Sequence, residues 1–600
     1  MAKVKCFRHA VRDNPEHASL RVRIRRAAGS LSRSLSCILR LVNFQLDGQY
    51  STRRLCALAC YQRKTSQLRS VSILLLSVAP CLATTTLVDL LRLRPPSDSF
   101  EHHRTLIVRV FVSYVGFALL AGRQFHRFVP ALPCSRLRLV VSATLVALGC
   151  VGTYYLLVQH VGFPLPYTIT TVCIVGWAPL VLSLFVLPWA RTIRDSENVK
   201  RDAVVAFKIW VGQTTMYTMY TLYFYVFLLA SASGRVAITF VLPLLKMLAR
   251  IGFDRALASS QRDETPEVVI FNVDVFSSLF IMYAMQSLSV ATTTIMILLD
   301  AIRMVAAIRD FHVARAEIHA LRQQIDKKES HSEPSPRIPV HPSSGTSQTT
   351  TFDHVLQLIE RSRRYPRAVA PSTGASSSII SMARALCATI SRCQVRPREV
   401  VPMDAVVYPH SVLRQRAKSA FVHAPVQPLD QTDLSLNCAA SDTCNLHLAP
   451  KEERFVAAVR RYLHSMEYVL LVNYVEAIVP LLYTQTECAQ PASYLLITFN
   501  LPNAAYYNNL TTLNSDGICS AVANLVLYNL FQVFSLFVLC WLSGHHFGVS
   551  GMKLIAFVLE RQWDGVQMTL VFWMYYNAQT SLDHFGYDYS FQFAWLRSGT

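Results

Sequence analysis

The chain has 600 residues, 52% of them hydrophobic and only 16% charged, with a formal net charge of +21 and a positive mean hydropathy of +0.30. That balance excludes an ordinary soluble enzyme of this size. The apolar residues come in charge-free runs of roughly 20 residues, enough to cross a hydrocarbon core. The expected fold is all-α: a polytopic transmembrane helix bundle of about nine or ten spans with a large, partly disordered cytoplasmic insert.

Residues 1–70 carry 15 Lys and Arg against 3 acids and contain no uninterrupted apolar segment, unlike a signal peptide. Arg21, Arg23, Arg25, Arg26, Arg53, Arg54, Arg63 and Lys64 make this a basic arm. Its place before a span makes it cytoplasmic, and anionic lipid headgroups are its expected partner, not nucleic acid. Residues 71–300 form the first membrane region, with about six spans. The first, 71–91, contains Pro80 and Asp89; the second, 106–121, has Arg109 at its start, placed to snorkel to the interface. Runs 139–158 and 167–187 are free of charge, with Trp189 as an interfacial anchor, and 209–234 is rich in tyrosine (Tyr217, Tyr220, Tyr223, Tyr225). The sixth, 275–299, is flanked by Asp274 and Asp300. Residues 236–248, broken by Pro243 and Lys246, are too short to span and read as interfacial or re-entrant.

Loop charge supports this count. Arg123, Arg127, Arg136 and Arg138 follow the second span, and Arg191, Arg194, Lys200 and Arg201 the fourth, whereas 159–166 has no Lys or Arg. The alternation puts the N-terminus and the loops after spans two and four on the cytoplasmic side.

In residues 301–328, Met304, Phe311, Ile318 and Ile325 recur every seven residues, with Ala307, Ala314 and Leu321 three places on. Such a stripe suits a coiled-coil homodimer through 304–325, or an amphipathic helix against the bilayer or its own bundle. Residues 329–450 have the Ser, Pro and Thr content of a disordered basic linker. Cys438, Cys444 and His447 within it read as ordinary side chains, not a metal site.

The second membrane region, 451–600, holds three or four spans. Glu476 lies in the middle of span 469–483, beside Asn473 and before Pro480. A carboxylate at membrane depth must pair, protonate or face a polar interior, so Glu476 is the foremost candidate residue, for transport or proton handling or for a helix–helix hydrogen bond. After a weak run at 494–499 and a clear one at 522–542, the last run, 566–582, carries Asn577 and Gln579, which need partners in lipid. Asn509 begins the sequon Asn509-Leu510-Thr511, flanked by Cys488 and Cys519. With nine spans this segment faces the oxidising side, where glycosylation at Asn509 and a Cys488–Cys519 disulfide become possible. No phosphate loop, nucleophile elbow or metal helix is present, so neither an enzyme nor a cofactor is expected. His545 with His546, and Asp583 with His584, read as polar loop residues.

The strings FNVDVFSSLFIMYAMQSLSVATTTIMILLDA, SMEYVLLVNYVEAIVPLLY, LPNAAYY and AFVLERQWDGVQMTLVFWMYYNAQTSLDHFGYDYSFQFAWL resemble a group of multi-pass membrane proteins from oomycetes. The resemblance covers both hydrophobic halves but not the insert. It implies an architecture of about six spans, an insert and a second hydrophobic half, and it implies no activity. Two functions remain open: a transporter or channel-like protein using Glu476, Asn473, Asn577 and Gln579, or a receptor-like or scaffolding protein acting through the insert.

Overall fold

The computed structural model describes residues 48–132, 135–258, 265–285, 290–331, 351–364, 448–487, 502–503, 506–507 and 515–588. The chain divides into two compact units, Met1–Leu358 with Leu448–Thr600, and Ile359–His447. Of the second, only 359–364 are described. The described residues are helical apart from turns and one isolated bridge, Tyr507 to Leu582.

Helix α1 (Thr52–Lys64) starts at Ser51, whose hydroxyl accepts from the Arg54 amide at 3.1 Å. Ser66 caps α2 (Gln67–Leu76) in the same way, and α3 (Ala79–Asp89) continues it with Pro80 in the first turn. Such caps each contribute about 1 kcal/mol. Helices α4 (Arg104–Phe128) and α5 (Arg136–Val161) pack together. Small side chains allow the approach: a Cβ added at Gly122 would fall 2.5 Å from Leu139. The next helix, α6 (Thr168–Asp195), contains Pro179 and Pro188, which lack amide donors, and it is wound with π turns at Cys173–Trp177 and Leu182–Val186.

Helices α7 (Glu197–Leu229), α8 (Ala232–Thr239) and α9 (Val241–Leu257) lead into α10 (Thr265–Met285) and the 42-residue α11 (Val290–His331). Then follow α12 (Thr351–Arg364), α13 (Pro450–Glu487), α14 (Ser515–Phe547), α15 (Gly551–Arg561) and α16 (Trp563–Thr580). Among the described residues, six stretches are long and apolar enough to cross a membrane: Gln67–Asp89, α4, α5, α6, Thr265–Met282 in α10, and Ala523–His546 in α14. At the centre α10 packs on α13, and α11, α14 and α16 close around them.

Several expectations change. Of the charge-free run 275–299, residues 275–285 end α10 and 290–299 begin α11, while 286–289 lie outside the described residues. Within 236–248, Lys246 is buried against the central helices, as is Arg250 one turn further along α9. Arg109 does not snorkel; it is fully buried. Arg54 belongs to the bundle core, not to a lipid-binding arm. The heptad stripe is covered by this chain: Ala307, Phe311, Ile318 and Ile325 are buried, and Phe311 meets Tyr462 of α13 edge-on at 5.6 Å. Homodimeric pairing through that face would require it to leave this packing.

Candidate functional site

The core helices carry their charges in layers. At the start of α10, the Arg54 guanidinium of α1 donates to Glu267 and, at 2.7 Å, to Glu467 of α13. Tyr50 donates to the other Glu467 oxygen. This first layer therefore sets two carboxylates on one guanidinium, and all of it is buried.

Two turns further along, the Lys246 ammonium is shared by Asp274 of α10 at 2.8 Å and Glu476 of α13 at 2.6 Å. Arg250 also donates to Asp274, on the same Oδ1 that takes Lys246, and Asp274 Oδ2 is buried without a hydrogen-bond partner. Arg303 of α11 reaches both Glu476 oxygens at 2.8 Å and Asp300 at 3.1 Å. Asp300 in turn accepts from Tyr528 at 2.8 Å and Gln532 at 2.7 Å, both on α14. Three acids face three bases, so this second layer is neutral. Charge balance is what lets it exist, since an isolated buried charge would cost several kcal/mol.

A third layer joins α3, α4 and α16. Arg109 donates to Asp89 at 3.1 Å and to Gln579 at 2.7 Å. Asp89 also accepts from Tyr507 at 2.8 Å, and the Asn503 amide donates to the Asp89 carbonyl at 2.7 Å.

Shared partners fix the direction of the core helices. Arg54 ties Glu267 to Glu467 and Lys246 ties Asp274 to Glu476, so α10 and α13 run parallel. They also match locally. Each has a glutamate in the first layer, an asparagine beyond it (Asn272, Asn473) whose amide donates at 2.8 Å to the carbonyl four residues back, and then an acid. The order Glu-Val-Val-Ile-Phe-Asn-Val-Asp from Glu267 parallels Glu-Tyr-Val-Leu-Leu-Val-Asn-Tyr-Val-Glu from Glu467. That correspondence is the sequence signal that would have revealed the layers.

Of the expected site residues, Glu476 sits in the second layer. Asn473 is held by its own helix, Gln579 belongs to the third layer, and Asn577 lines a cavity of about 20 Å³ with Tyr217 and Tyr576. The four do not line one path. Asn509 and Cys488 lie outside the described residues, and of Cys519 only its backbone in α14 is described. Residues missed from the sequence are Arg54, Glu267, Glu467, Lys246, Arg250, Asp274, Asp300, Arg303 and Asp89. Among the described residues no group of three or more His, Cys, Asp or Glu could hold a metal ion. Comparison with family models, curated proteins and solved structures finds no match.

Proposed function

We propose that this polytopic membrane protein is a proton-coupled transporter whose coupling groups are the layered charges. The observation that carries the reading is their stacking. Glu267 to Asp274 is seven residues along α10, about 10 Å, and Gln562 to Gln579, from the first layer's level to the third, is about 25 Å along α16 at 1.5 Å per residue. Buried ionisable groups thus recur through a depth comparable to the hydrocarbon core, where such groups are rare and costly. Within the second layer, protonation of Asp274 would release Lys246 to Glu476 alone. Two arrangements that differ by one proton and by the partner of Lys246 are the kind of bistable element a carrier requires.

The test is reconstitution in lipid vesicles with an imposed potassium diffusion potential and an internal pH dye. Wild type is expected to carry proton flux above protein-free vesicles, and Glu476→Gln to lower it at least tenfold. Equal flux in the variant, or wild-type flux no greater than that of empty vesicles, overturns the reading.

A further inference from the structure

At the start of α10 a cavity of about 30 Å³ is lined by Gln124, Arg127, Glu267, Asn272, Gln562 and Thr569, among others. A space of that size, walled by polar groups, holds about one water. Its amide oxygens are already engaged: Gln124 accepts from Trp210, Gln562 from Arg127, and Asn272 from Gln213. Glu267 is 3% exposed. One of its oxygens takes Arg54, and the other, Oε2, has no hydrogen-bond partner.

Among the described residues, charges from several elements face Glu267. Arg54 of α1 and Glu467 of α13 face it across the first layer, with Tyr50 donating to Glu467. His464 lies one turn before Glu467, against Gly48, and Arg460 holds the Tyr50 carbonyl. Across the cavity stands Arg127. In the first layer two carboxylates share the Arg54 guanidinium, and their mutual repulsion favours a proton on one of them. A metal cation suits the space poorly, because Arg127 lines it and the neighbouring carbonyl oxygens are taken.

We infer that Glu267 is a proton-binding site, loaded from a water in this cavity. The step moves one proton: the cavity water relays it from hydronium in bulk water, an O–H bond forms at Glu267 Oε2 as one in hydronium breaks, and neutral water remains. The inference deepens the transport reading, since it names where the pathway is loaded, but it is tested without any flux. In the purified full-length protein, infrared difference spectra recorded across a pH titration report the carbonyl stretch of a protonated buried carboxyl. Wild type is expected to show such a band, and Glu267→Gln, which keeps the side chain's shape, to lose it, while Glu476→Gln keeps it. Arg127→Gln removes a cation that favours the carboxylate, so the band's midpoint should move to higher pH; this variant decides the matter should Glu267→Gln fail to fold. A band that survives Glu267→Gln, no titrating band in wild type, or an unmoved midpoint in Arg127→Gln overturns the site. A band that behaves as expected in a protein without proton flux leaves the site standing and removes the transport reading.

Discussion

Helix α10 and the outer helices are all apolar enough to cross a membrane, yet they do so in opposite surroundings. Of the apolar window in α10, 83% is buried inside the protein, against 28% in Gln67–Asp89 and in α6. The outer helices turn leucines such as Leu75, Leu76, Leu182 and Leu187 outward, whereas α10 and its parallel neighbour α13 turn Glu267, Asp274, Glu467 and Glu476 toward each other's partners. Hydropathy measures the side that faces lipid. A helix shielded by others is released from that demand, and α13 carries Glu467 and Glu476 because both are paired inside the bundle.

That contrast is broken most severely by removing a shared cation. Lys246→Met leaves Asp274 and Glu476 with one positive partner fewer in a buried site, and the expected loss is about 3–5 kcal/mol of unfolding free energy. Denaturant unfolding in detergent measures it. The double variant Lys246→Gln with Glu476→Gln should recover most of the loss, because Arg250 then keeps Asp274 and Arg303 keeps Asp300. If the double variant is no better than the single one, charge balance is not what holds the second layer. Next in size is truncation on the apolar side of the same core: Leu470 is completely buried on α13, so Leu470→Ala should cost about 2–5 kcal/mol in the same assay.

The difference between core and shell also explains what could be read without coordinates. The apolar runs that became α4, α5, α6 and the outer part of α14 were legible because their composition answers to lipid. Glu476 was legible as an isolated acid in an apolar run. Its partners were not: Lys246 and Pro243 read as the break in a short segment, Asp274 and Asp300 as the flanks of a span, Arg109 as a snorkelling residue, and Arg54 as part of a basic arm. In each case a charge at the edge of an apolar run has two physical explanations, a headgroup or a buried partner, and only the three-dimensional meeting of α1, α9, α10, α11 and α13, and for Arg109 of α3, α4 and α16, selects between them. Gln579 and Glu476 were grouped by polarity alone, and packing on different helices separates them.

Outside the spans, one turn offers a smaller and more delicate contrast. Burial pushes the Asp583 carboxyl up to about 6 and holds the neighbouring His584 imidazole down at about 4, where the ring nitrogen Nε2 donates to the Arg94 carbonyl at 2.6 Å. Between pH 4 and 6 the folded protein keeps a proton on Asp583 that the unfolded chain gives up, so this contribution to stability falls as pH rises. His584 does the opposite, since the unfolded chain holds the proton that the folded state refuses, and its contribution grows over the same range. The two slopes oppose each other in wild type. Asp583→Asn should therefore expose a stability that climbs from pH 4 to 6.5, and His584→Gln one that declines, both read from thermal unfolding in a pH series. Parallel slopes in the two variants would show that the residues do not titrate as a pair of opposites.

The smallest expected effect is the most direct check on the division between shell and core. Leu76 is 59% exposed in the outer stretch formed by α2 and α3. In a bilayer its side chain touches lipid tails as apolar as itself, so association with the bundle gains little from it. Leu76→Ala should change unfolding free energy by no more than about 0.5 kcal/mol, against the several expected at Leu470. A loss at position 76 matching that at position 470 would mean that protein, and not lipid, covers this face, and the assignment of α2 and α3 to the outer shell would have to be withdrawn.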